Sequence, residues 1–113
     1  MTSPSLDALL AAVSAGDLRE AAACFAAEGR YQEAAHAPIV GRDAIAAHFA
    51  RFAAQGRRWR FIVDEVFGEA NRACVVYRYA EGEGAGGRER AGVAIIRLAA
   101  DGSIAEWREY ADG

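Results

Sequence analysis

The apolar positions along this chain change period once, near residue 56. Before that point they recur at helical spacing. Leu6, Leu9, Leu10 and Val13 follow Ser5, and Gly16 can end the run in a left-handed conformation, which predicts a first helix over residues 5 to 15. Asp17 offers a cap for a second helix with Leu18, Ala22 and Phe25 on one face and a stop at Gly29, followed by a short strand at Arg30-Tyr31-Gln32-Glu33. Pro38 and Gly41 interrupt the chain, and Asp43 is placed to cap a third helix holding Ile45, His48, Phe49 and Phe52, closed by Gly56. Beyond it the pattern alternates, with Trp59, Phe61 and Val63 on one face and Arg58, Arg60 and Asp64 on the other.

Strands are expected at 57 to 67, 72 to 81, 89 to 99 and 103 to 111, separated by Gly68-Glu69-Ala70-Asn71, the stretch Gly82 to Gly87, and Asp101-Gly102. Helices first and antiparallel strands second make an α+β order. The glycine-rich stretch leads into no helix, so it reads as a flexible hairpin tip and not as a phosphate-cradling loop.

Composition narrows the class. At 113 residues the chain suits one domain spanning 1–113, and 53% apolar with 26% charged residues suits a folded, soluble body. No apolar run reaches the ~18 residues needed to span a bilayer. A net charge of -3 disfavours nucleic acid, despite the local basic patch at Arg57, Arg58 and Arg60. The start Met1-Thr2-Ser3-Pro4 lacks a basic and then apolar leader, so a cytoplasmic location is expected. Cys24 and Cys74 read as small buried apolar residues, and with only His36 and His48 no zinc spacing exists; neither metal nor cofactor is expected.

Three segments, in order and nearly spanning the chain, carry a resemblance: Ala15-Gly16-Asp17-Leu18, Gly41-Arg42-Asp43-Ala44-Ile45, and Asp101-Gly102-Ser103-Ile104-Ala105-Glu106-Trp107-Arg108-Glu109-Tyr110. They resemble the nuclear-transport-factor-like superfamily, and within it the SnoaL-like domains related to polyketide cyclases, ketosteroid isomerases and limonene epoxide hydrolases. The resemblance implies a cone-shaped α+β fold, three N-terminal helices on a curved, mainly antiparallel sheet that encloses a pocket. It also implies pairing into a homodimer through the outer sheet face, which would mix Val76, Arg78, Arg97, Glu106 and Arg108 with Ile95 and Tyr110. One scaffold of this kind hosts many functions, so the site must decide.

Alternation, laid against the isomerase pattern, turns Tyr31 or Glu33, Val75, Tyr77, Tyr79, Ile96, Trp107 and Glu109 inward, with His48 facing them from the third helix. Glu109 falls where the epoxide hydrolases and cyclases keep an acid/base residue, and Glu33 at the isomerases' proton-shuttling carboxylate. A carboxylate in an apolar pocket is driven toward protonation, and an imidazole such as His48 exchanges protons near neutral pH. Glu109 has the plainer reading of a solvated partner for Arg108 or Arg97, Glu33 that of an edge-strand surface group, His48 that of a buried histidine bonded to a neighbour. Tyr31, Tyr77, Tyr79, Trp59, Trp107 and Ile96 are the candidate walls for a small apolar or cyclic metabolite. Tyr77 and Tyr79 share a face and are expected to share a polar neighbourhood. The isomerases' oxyanion donors align with Leu9 and Ala94, which disfavours steroid isomerisation, and Arg78 points away from the pocket while Ala80 stands where a second hydrolase acid belongs. Cofactor-independent isomerisation, cyclisation or hydrolysis of a carbonyl or epoxide compound is therefore expected. The alternatives are a non-catalytic ligand-binding or dimerisation module and a partner-binding adaptor.

Overall fold

The computed structural model describes residues 3–82 and 88–111. The chain runs α1 (Pro4–Ala15), α2 (Leu18–Ala23), β1 (Phe25–Gln32), β2 (Ile39–Val40), α3 (Arg42–Ala54), β3 (Trp59–Glu69), β4 (Arg72–Glu81), β5 (Arg88–Leu98) and β6 (Ile104–Ala111). One six-stranded sheet has the order β2-β1-β6-β5-β4-β3. It is mixed: β1 runs parallel to β6, and every other neighbouring pair is antiparallel. Most of the glycine-rich stretch lies outside the described residues.

The helix starts differ from the expectation by a few residues, each for a local reason. α1 starts at Pro4 and not at residue 5, capped by Ser3, whose hydroxyl accepts from Leu6 N; Pro4 fits the first helical position where no N–H is needed. Gly41, not Asp43, precedes α3: it sits at φ 100 with its N–H bonded to Gly29 O, a conformation that a β-carbon would strain. Asp43 remains in the first turn, where its charge suits the helix dipole. At the other ends, Gly16 and Gly102 take the left-handed conformations expected of them, the latter closing the β5–β6 hairpin.

The larger correction concerns α2, which stops at Ala23 and not at Gly29. The alanine-rich continuation favours a helix locally, but tertiary pairing overrides it. Ile104 N donates to Cys24 O, Phe25 pairs with Ile104, and by Arg30 the strand has slipped register against Glu106. Gly29 is buried in that irregularity, where a β-carbon would lie 3.0 Å from both Ala26 O and Ile104 O. Phe25 thereby becomes a strand residue, only 1% exposed, with its ring edge-on to Tyr31 and Phe49. The strand at 57 to 67 likewise starts two residues later and runs on to Glu69, so the turn shrinks to Ala70-Asn71. Cys24 and Cys74 are free thiols, but both are partly rather than fully buried.

The core lies between the helices and one sheet face. Leu6, Leu9, Ala12, Ala21, Ala22, Ile45 and Phe49 from the helices pack on Phe61, Val75, Tyr77, Ala94, Ile96, Ile104 and Trp107 from the strands. No helix among the described residues is long and apolar enough to cross a membrane. Because Phe25 joins β1 to α3 through the core, Phe25→Ala should cost about 3–5 kcal/mol, measured as a lower urea midpoint at unchanged slope. A loss below ~1 kcal/mol would mean that the contact does not tie the layers together.

Candidate functional site

The helices do not fill the space over the inner face of the sheet, and a cavity of about 370 Å³ remains, within the range that holds small ligands. Strand alternation decides what reaches it. Trp59 and Phe61 of β3, Tyr77 and Tyr79 of β4, Trp107 and Glu109 of β6 and Tyr31 of β1 line it, joined by His48 and Phe52 from α3 and by Glu33 just past β1. All three expected acid/base residues, Glu109, Glu33 and His48, border the same space. Of the expected wall residues, Ile96 alone is absent from it: it is fully buried in the core beneath.

Glu109 is the polar centre of one end. Its Oε2 accepts from Trp107 Nε1 at 2.8 Å and lies 3.4 Å from the Tyr31 hydroxyl, and the Tyr77 hydroxyl also helps hold the carboxylate. Burial pushes its pKa up to about 7; the Trp107 bond pulls it down, the charge of Glu33 pushes it further up, and the Tyr77 and Tyr31 hydroxyls pull it down. Arg97, one of the partners considered for it, is instead paired with Glu106 at 3.8 Å. The Tyr31 hydroxyl donates to Glu33 Oε2 at 2.8 Å, so one phenol stands between two carboxyl groups. Burial, then the charges of Glu109 and Glu33, hold that phenol well above its ordinary pKa. Tyr77 is raised likewise, by burial first and Glu109 second. Both stay protonated donors at neutral pH.

His48 closes this end. Its Nε2 lies 3.8 Å from Glu33 Oε1, and its ring sits 5.7 Å from that of Tyr31. Room for the Tyr77 hydroxyl comes from Gly92, its partner across β4 and β5, because a β-carbon there would fall 2.7 Å from that oxygen.

The other end is aromatic and basic. Trp59 stacks on Tyr79 with centroids 6.2 Å apart, and Phe52 meets Trp59 edge-on. The Tyr79 hydroxyl donates to Glu81, not to Glu109, so Tyr77 and Tyr79 serve different carboxylates despite sharing a face. Arg57 and Arg90 border the cavity here, and neither was singled out as a site residue from sequence. Counting back from Ile96 by twos along β5 reaches Arg90, so the signal was present.

Leu9 and Ala94 carry no donor, and Arg78 is engaged with Asp64 on the exposed side, through contacts of 2.9 to 3.2 Å. Among the described residues no cluster of His, Cys, Asp and Glu is arranged to hold a metal.

Comparison with known proteins places this geometry. The model of the SnoaL-like domain matches residues 6–107. Sequence comparison with curated proteins gives no significant match. Among solved structures, a hypothetical protein with a ketosteroid isomerase-like fold from Catenulispora acidiphila, in complex with trimethylamine, is similar at a TM-score of 0.79 and 19% identity, over 96% of this chain and 86% of that one. An LEH-like epoxide hydrolase of M. tuberculosis gives 0.79 and 20%, over 96% and 80%. A putative SnoaL-like polyketide cyclase from Shewanella denitrificans gives 0.78 and 13%, over 96% and 88%. At such identities the structures speak for the fold, while the family model covers nearly the whole chain. The chain belongs to the SnoaL-like domain family and has its nuclear-transport-factor-like fold.

Proposed function

We propose that the cavity performs cofactor-independent acid/base chemistry on a small, largely apolar carbonyl or epoxide metabolite: an isomerisation, a cyclisation or a hydration. The observation that carries this reading is the Glu109 carboxyl, half-buried at the cavity wall and raised to about 7. Near neutral pH such a group is divided between acid and base, which serves both halves of a proton transfer.

Tyr31 brings Glu33 into the chemistry. A phenol has one proton, so it cannot donate to both carboxylates at once; with Glu109 protonated, Glu109 donates to the Tyr31 oxygen while Tyr31 donates to Glu33. The three groups form a path along which one proton can be taken at Glu109 and held at Glu33. His48 beside Glu33, and the Tyr77 hydroxyl beside Glu109, are the groups available to steady negative charge developing on a substrate oxygen. The fold's epoxide hydrolase and putative cyclase relatives support these reaction classes.

A second reading, a binding module without turnover, is favoured by the donors missing at Leu9 and Ala94 and by the engagement of Arg78 outside the cavity. We also include a homodimer through the outer face in this reading. Tyr110 is exposed there beneath the Arg108 guanidinium, whose Nε is buried without a hydrogen-bond partner among the described residues.

Three outcomes are expected. Glu109→Gln should lower turnover by roughly 100- to 10,000-fold while sparing ligand affinity, measured by steady-state kinetics beside calorimetry on any substrate found; unchanged turnover would remove Glu109 from the mechanism. A carboxyl raised on folding binds its proton more tightly in the folded state. Its contribution to stability is therefore full below the unfolded value near 4.5 and is lost as pH rises through about 7. Wild type should thus lose on the order of 3 kcal/mol relative to Glu109→Gln between pH 4.5 and 8, read from paired urea titrations. For the dimer, sedimentation should give twice the chain mass for wild type and the single mass for Tyr110→Glu; a wild-type monomer at micromolar concentration would exclude it.

A further inference from the structure

The basic end of the cavity has no part in the proton path just described. Arg57 Nη1 lies 3.4 Å from Glu81 Oε1, and that same oxygen accepts from the Tyr79 hydroxyl at 2.8 Å. The guanidinium of Arg90 sits 5.6 Å from the centre of the Tyr79 ring. No carboxylate among the described residues forms an ion pair with it. Among the described residues that line this end, two guanidinium groups, Arg57 and Arg90, accompany one carboxylate, Glu81, an excess of one positive charge.

Arg90 borders the cavity yet is exposed, so packing does not require it. The core beneath closes with Ile96 and Ala94, the next inward positions being Gly92 and then Arg90. Its guanidinium lies over an aromatic face, which holds the planar fork in place and leaves its edge donors for a ligand. Arg90 pairs with Tyr79, and Gly92 with Tyr77, so the backbone of the arginine lies one inward step, ~7 Å along the strand, from Gly92, against which the Tyr77 hydroxyl rests. A step of that length is spanned by one six-membered ring with a substituent at its far side. From Phe61 and Tyr77 to Trp59 and Tyr79 the cavity is lined by aromatic rings, apolar walls for such a body.

The geometry points to a substrate that carries a carboxylate: Arg90, with Arg57 beside it, holds the anionic end of a ring-sized acid whose reacting atom lies at Glu109. This names the substrate class of the site proposed above and rests on its being a ligand site, but concerns binding and not proton transfer. An excess of one positive charge matches a singly charged group. The carboxylate joins the two arginines and competes with Glu81 for Arg57, while the ring displaces water from the aromatic walls. Fixing the acid at one end sets which ring carbon meets Glu109 at the other.

The test uses the two tryptophans, Trp59 and Trp107, both at the cavity wall, as fluorescent reporters. The full chain is titrated with cyclohexanecarboxylate and with 3-oxo- and 4-oxocyclohexanecarboxylate, each beside its methyl ester, in wild type, Arg90→Gln, Arg90→Lys and Glu109→Gln. At least one acid should bind about ten-fold or more tighter than its ester, with the preference lost in Arg90→Gln, partly kept in Arg90→Lys and, because a negative charge is removed from the cavity, no smaller in Glu109→Gln. Esters that bind as well as the acids, a preference that survives Arg90→Gln, or no binding by any of the acids would overturn the inference. Its fate separates from that of the acid/base reading. Arg90-dependent acid binding without turnover upholds the first and removes the second; turnover of neutral ketones or epoxides, with no preference for acids, does the reverse.

Discussion

A carboxyl group withdrawn from water must either find donors or keep its proton, and at Glu109 the fold does some of each. The Trp107 indole and the Tyr77 hydroxyl donate to it, and the Tyr31 hydroxyl, shared with Glu33, stands 3.4 Å away, so groups from three strands converge on it. They only partly offset burial and the neighbouring charge of Glu33, so the group settles near neutrality and not in the ordinary carboxylate range. Each donor is placed by a separate feature of the chain: Trp107 by β6 itself, Tyr31 by the parallel pairing of β1 with β6, Tyr77 by the space left at Gly92.

The parallel β1–β6 pair is the least expected part of the architecture and the part on which the site depends. Tyr31 pairs with Trp107 and Gln32 with Arg108, which sets the phenol beside the acid two residues further along β6. A slip of one residue would turn Arg108 inward and Glu109 out. The register shift between Phe25 and Arg30, centred on buried Gly29, absorbs the mismatch between a short α2 and that required register. What looks locally like the tail of a helix is therefore a strand.

The inner face was legible because alternation is rigid: Trp59 and Phe61 share a face by period two, and Tyr77, Trp107 and Glu109 were turned inward by the same period laid against the isomerase pattern. His48 was legible because Ile45, Phe49 and Phe52 mark the buried side of α3. Residues 25 to 29 were not, since Phe-Ala-Ala-Glu-Gly favours a helix and only long-range pairing makes it a strand. Ile96 was placed on the correct face but at a depth where the helices cover the sheet completely, which alternation cannot report. Arg90 lay within reach of the same alternation, and the period-two count from Ile96 needed only to be carried further along β5. The link between Glu33 and Glu109 through Tyr31 required the structure, because it joins residues 78 apart in sequence.

The most direct measurement is a carbon-detected NMR titration of the Glu109 side-chain carboxyl in the wild-type protein. A midpoint near 7, falling toward ordinary values when the chain is unfolded in urea, is the result that a buried acid/base carboxyl requires. A midpoint near 4.5 in the folded protein would mean that Glu109 is solvated or fully stabilised as a carboxylate, and that it cannot exchange a proton with substrate at neutral pH.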